Sequence, residues 1–160
     1  MQLERAGGWQ PTTSSKQVTQ GHCQCRFLEY EFEGKPKWVM HCHCESCRRA
    51  VSSAVATYVG VDIGQFRYLK GDPAVYDSSP GVKRYFCPKC GSPMAYAGAR
   101  WPKEVHLFHG TLDDPTMWPP TGHAHIEEQV AWFDVHDELP RFEKIATRDA
   151  VPLRKGPKTA

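Results

Sequence analysis

Seven cysteines in three tight clusters constrain this chain more than any other feature. Cys23 and Cys25 lie in GHCQC, Cys42, Cys44 and Cys47 in HCHCESCRR, and Cys87 and Cys90 in FCPKCGSPM. Spacings of two and three suit chelation of one ion by neighbouring sulfurs. An odd count leaves a disulfide framework one partner short, so that framework is the lesser alternative. A thioredoxin-like redox pair fits CPKC poorly, because Gly91 and Pro93 stop a helix where that motif needs one. The local sequence instead favours a tight turn, a metal-binding knuckle, with glycine supplying the backbone freedom. Two thiolates are half a shell, so the other half must lie elsewhere in the chain.

In an extended strand, residues two apart face the same way, so Cys23 and Cys25 can both reach one ion. Joined to Cys87 and Cys90 they complete a tetrahedral four-thiolate shell, the closed arrangement of a structural zinc site. The spacing does not separate zinc from iron, which four cysteines also hold. Cys42, Cys44 and Cys47 remain. Three thiolates leave one position on a zinc ion open, the pattern of a reactive site. Arg48 and Arg49 are expected to offset the charge of those thiolates. His41 or His43 is the alternative fourth ligand, although in a regular strand both point away from Cys42 and Cys44. The other histidines read as scattered.

The rest of the chain frames these clusters. With 160 residues, 40% hydrophobic and 24% charged, it fits one globular domain. A net charge of +2 carries no nucleic-acid footprint, and no apolar run approaches the length of a membrane helix. The N-terminus lacks the apolar core of a secretory signal. A cytoplasmic location, where thiols stay reduced, is the expectation. Residues 1–17 and 149–160 are polar and rich in Pro, Gly, Lys and Thr, and are expected to be mobile on either side of a single domain at 18–148. Within it, LEYEF, KWVMHC, AVATYVGV, VKRYFC, PMAYA, EVHLFHG and QVAWFDV predict strands. ESCRRAVSS and LDDPTMW predict short helical turns. The fold class is mainly β, with short antiparallel strands and a few helical turns.

The order GHCQC, CHCESCRRA, YFCPKCGSPM, HGTLDDP, GHAHI, AWF and ELPRFE resembles the family of glutathione-dependent formaldehyde-activating enzymes and centromere protein V, over about residues 18 to 143. The resemblance implies a β-tent type of fold with two zinc ions. It implies that Cys23, Cys25, Cys87 and Cys90 match structural ligands, and that Cys42, Cys44 and Cys47 match catalytic ones. It further implies a carbon–sulfur lyase that joins glutathione, or a related small thiol, to formaldehyde or another small aldehyde. The centromere-protein branch implies the alternative, a zinc-stabilised binding module whose basic tail RKGPKTA is the feature to examine. Neither nucleic acid nor membrane is an expected partner, and the oligomeric state is not legible. Gly110, Thr111, Asp113 and Asp114 of GTLDDP read as a tight turn and cap.

Overall fold

The computed structural model describes residues 17–153. Most of the expected mobile segments, including the tail RKGPKTA, lies outside these residues. Among the described residues there are ten strands: β1 (Val18–His22), β2 (Glu29–Glu33), β3 (Trp38–Cys42), β4 (Ala56–Asp62), β5 (Phe66–Lys70), β6 (Ala74–Ser79), β7 (Val82–Phe86), β8 (Pro93–Gly98), β9 (Glu104–Phe108) and β10 (His123–Ala124). One α-helix, α1 (Glu45–Val51), and three single turns of 3₁₀ helix complete the set. The protein is therefore mainly β, as the alternating and β-branched segments predict. Among the described residues no helix is long and apolar enough to cross a membrane.

The chain divides into two compact units. One comprises the stretch up to Lys37 with Gly60–Met117, the other Trp38–Val59 with the stretch from Trp118.

In the first unit, β2 lies between β1 and β5, antiparallel to both. Leu28, Tyr30 and Phe32 are buried, as the alternation in LEYEF requires. Glu31 departs from that alternation: it is buried too, because Arg67 on β5 binds its carboxylate. A carboxylate leaves water only when a partner and hydrogen bonds replace it. Strands β6, β7, β8 and β9 pair antiparallel in chain order. Tyr85, Met94, Ala95, Val105 and Leu107 supply buried side chains from them.

The GTLDDP segment makes the expected turn, with no helix across LDDPTMW. Thr111 Oγ1 donates to the Phe108 carbonyl, and Asp114 accepts from the Thr116 amide. Gly21, inside GHCQC, is required by close approach. A Cβ there would lie 2.4 Å from the Tyr30 hydroxyl and 2.5 Å from the Thr111 carbonyl oxygen.

In the second unit, β10 pairs parallel with β3, His123 opposite His41 and Ala124 opposite Cys42. On its other side, segment 123–127 takes backbone bonds from residues 140–144, the LPRFE region. The His123 amide donates to Pro140 and the Phe142 amide to His123. QVAWFDV is not a strand. Its backbone turns on itself, Phe133 N–H to the Val130 carbonyl, and Trp132 is exposed. β propensity decides little where a segment has no neighbouring strand to pair with.

Candidate metal centres

The first site is built by two hairpin turns. Residues 23–28 link β1 to β2, and residues 87–92 link β7 to β8, so each cysteine pair sits at the tip of a hairpin. The CPKC turn is the expected knuckle. Gly91 adopts φ +75°, its amide donates to the Cys87 carbonyl, and the Cys87 amide donates to Ser92. Cys23 and Cys25 meet by a different route from the one predicted. Strand β1 ends at His22, and a turn closed by Arg26 N–H to the Cys23 carbonyl, with Arg26 at φ 58°, swings the second sulfur round. The Gln24 amide reaches across to Ser92 Oγ and ties the two hairpins together.

All four sulfurs lie within 4.8 Å of one another, with Cys23 to Cys25 at 3.6 Å and Cys25 to Cys87 at 3.8 Å. Zinc–sulfur bonds of about 2.3 Å at the tetrahedral angle separate sulfurs by about 3.8 Å. The set fits that shell and no disulfide is formed. Amides of Leu28 and Lys89 donate to Cys23 Sγ and Cys87 Sγ, supporting thiolate charge. The sulfurs ionise unequally. The Ser92 hydroxyl and amide pull the Cys90 thiol down to about 5. At Cys25 the Phe27 amide favours the thiolate, but desolvation and the other three sulfurs push it up to about 12. Four anions this close require a cation, and a divalent ion reverses the balance.

The second site stands at the junction of β3 and α1. Cys42 ends the strand, Cys44 caps the helix by accepting from the Cys47 amide at 3.3 Å, and Cys47 lies in the first turn. Cys42 and Cys44 are 3.5 Å apart, and all three sulfurs fall within 4.8 Å. Bonding with Cys44 and Cys47, together with burial, pushes the Cys42 thiol far up. Cys42 partly stabilises a Cys44 thiolate, but the Cys47 sulfur and burial outweigh it and hold Cys44 near 11. Here too the donors suit a soft, thiophilic cation, and three of them leave a tetrahedral shell one short.

The neighbouring histidines do not join this group, and the two arginines are engaged by other partners. His41 and His43 are not in the sulfur cluster. His41 Nδ1 is 2.8 Å from Thr57 Oγ1, and His43 Nε2 is 2.9 Å from His123 Nδ1. Arg48 Nε donates to the His43 carbonyl, and Arg49 pairs with Glu45 on the surface. The Glu45 amide, in the first turn of α1, donates to Glu128.

The structure also gathers residues that read as scattered. The His41 and His123 rings lie with centroids 4.8 Å apart, tilted by 35°, and His123 Nε2 contacts both carboxylate oxygens of Asp137 at 2.9 and 3.2 Å. His41, His123 and Asp137 come within metal-ligand reach of one another. Arg141 sits 3.5 Å from that carboxylate, however, and a guanidinium is a poor neighbour for a cation. The repeated His-x-His of HCHC and HAH was the available signal, but only the β3–β10 register shows that the two face each other.

A family model described as glutathione-dependent formaldehyde-activating enzyme matches residues 18–128, a span that includes all seven cysteines. No curated protein matches. A crystal structure of a Rhodobacter sphaeroides protein is 22% identical, covers 59% of this chain and 87% of that one, and superposes with a TM-score of 0.50. At that identity the likeness is one of fold.

Proposed function

We propose, because the chain belongs to the family of glutathione-dependent formaldehyde-activating enzymes, that it is a zinc-dependent carbon–sulfur lyase acting on adducts of a small thiol and a small aldehyde. Glutathione with formaldehyde, giving S-hydroxymethylglutathione, is the pair the family description suggests. The observation that carries the reading is the division of the seven cysteines into a converged group of four and a converged group of three.

In this reading Cys23, Cys25, Cys87 and Cys90 hold one zinc ion in a closed, structural shell. Cys42, Cys44 and Cys47 hold a second, with one position left. When bound, that second ion supplies Lewis acidity and a place for a thiol sulfur or a carbonyl oxygen. The chain's own contribution is to hold the cysteines. The end of β3 carries Cys42, the cap of α1 carries Cys44, and the Cys47 amide donates to Cys44 Sγ. Condensation breaks the thiol S–H bond, forms the carbon–sulfur bond and leaves the proton on the former carbonyl oxygen. Holding the two reactants together removes much of the entropic barrier. Residues 18–148 act as one domain in the cytoplasm, with neither nucleic acid nor membrane as partner.

The test is metal analysis joined to exchange kinetics. Two zinc ions per chain are expected, one of them lost readily to a mild chelator. Glutathione, cysteine and coenzyme A are then titrated against the charge-transfer bands of cobalt-substituted protein. Formation of the hydroxymethyl thioether from formaldehyde, followed by NMR exchange, should exceed the uncatalysed rate only with the second ion present. If no thiol perturbs that ion and exchange stays at background, the binding-module reading replaces this one.

A further inference from the structure

The residue between Cys42 and Cys44 is held at every polar group but one. The His43 amide donates to the Ala124 carbonyl at 3.0 Å, its carbonyl accepts from Arg48 Nε at 3.0 Å, and its Nε2 is 2.9 Å from His123 Nδ1. His43 and His123 are both fully buried. Beyond His123 the chain of bonds continues to Asp137, whose carboxylate also accepts from the Leu139 amide and lies beside Arg141.

The order of donors follows from the last member. An ionised carboxylate only accepts, so His123 Nε2 carries a proton. A neutral His123 then presents a bare Nδ1, which must accept from His43 Nε2–H. This leaves His43 Nδ1 as the bare nitrogen, and it is one of the buried ring atoms without a hydrogen-bond partner among the described residues. An unpaired acceptor there costs less than an unpaired N–H.

We propose that the buried chain Asp137–His123–His43 is the positioning device of the three-sulfur site, fixing the backbone between Cys42 and Cys44 so that their sulfurs are preset for one ion. The inference rests on the proposed metal-binding role of those cysteines. None of the three residues lies in the sulfur cluster. The His43 imidazole, which is outside the sulfur cluster, adds a side-chain tether to the backbone bond that its amide makes to Ala124, at a point where the β3–β10 ladder pairs only two residues. Preset donors bind an ion more tightly because less ordering remains to be done on binding.

The experiment measures cobalt affinity at each site of the full chain by chelator competition, reading the charge-transfer bands, with the four-sulfur site as internal control. His43→Leu removes the donor and is expected to weaken the three-sulfur site by about 10–100-fold, the range found when outer partners of metal ligands are removed. It should also alter that site's bands and leave the four-sulfur site unchanged. His43→Gln keeps an N–H at similar reach and should return affinity to within about threefold of the unsubstituted chain. Unchanged affinity in His43→Leu overturns the inference. So does equal weakening of both sites, or failure of Gln to restore what Leu loses, since each makes the chain a general fold element. A third cobalt ion abolished by Asp137→Asn would make His41, His123 and Asp137 a metal site and overturn it too. Absence of cobalt from Cys42, Cys44 and Cys47 in the unsubstituted chain would remove the proposed function itself and this inference with it.

Discussion

Replacing Cys87 with serine should cost this protein far more than the same replacement at Cys47, although both lose one sulfur from a converged cysteine cluster. Cys87 is fully buried between two hairpins, with its sulfur 3.8 Å from that of Cys25 and bonded by the Lys89 amide. A structural zinc ion contributes on the order of 10 kcal/mol to folding, so one sulfur of four carries about 2–3 kcal/mol. Burying a hydroxyl with no ion to satisfy it adds about 1–3 kcal/mol. The sum, about 3–6 kcal/mol, is a large part of the 5–15 kcal/mol typical of a whole domain. At about 2–4 °C per kcal/mol for a chain of this size, the melting temperature should fall by roughly 10–20 °C. Cys47 lies on α1, which has no fully buried residue. Its replacement should cost under about 1 kcal/mol, a shift of a few degrees. Circular dichroism melts of both variants, at one scan rate and with metal content measured beforehand, decide the matter. Equal shifts in the two variants, or a Cys87→Ser shift of only a few degrees, would refute the division into structural and open sites.

Two glycine replacements should separate crowding from backbone strain. Gly21→Ala places a Cβ 2.4 Å from Tyr30 and should lose several kcal/mol in urea unfolding, about 3 or more by analogy with overpacked cores. Gly91→Ala meets open space and loses only the left-handed penalty of about 1–2 kcal/mol. Arg67→Met leaves Glu31 buried without its ion-pair partner, with only the Gln20 amide still donating to it, and should cost about 3–5 kcal/mol, whereas Glu31→Leu combined with Arg67→Met should recover most of that loss in the same assay. Acidification should weaken the fold through His43. Burial, with His123, His41, Arg141 and Arg48 nearby, pushes its imidazole down to about 4, while the unfolded chain takes up that proton near 6.5. Between these values the unfolded state binds more protons, so stability falls as pH drops from about 6.5 to about 4. The slope over this window should be shallower in His43→Gln, and equal slopes would rule the effect out.

The grouping of the cysteines was legible in part because the ability to chelate at short range is a local property. A cysteine two or three positions from another can share an ion with it whatever the rest of the fold does, and Gly91 after CPKC marks a turn on steric grounds alone. Period-two alternation likewise exposed β2, and β-branched and aromatic runs exposed β3, β4, β7, β8 and β9. Tertiary structure decided what depends on partners far along the chain. QVAWFDV has the residues of a strand and no ladder to join, so it turns on itself. Glu31 sits at a position that alternation assigns to water and is buried because Arg67 lies across from it. Cys23 and Cys25 converge through a turn rather than along a strand. His43, His123 and Asp137 are separated by up to 94 residues of sequence, and nothing local links them. The parallel register of β3 with β10 brings His123 to His43, and the loop beyond β10 returns Asp137 to His123, because such contacts belong to two segments together and are written in neither alone.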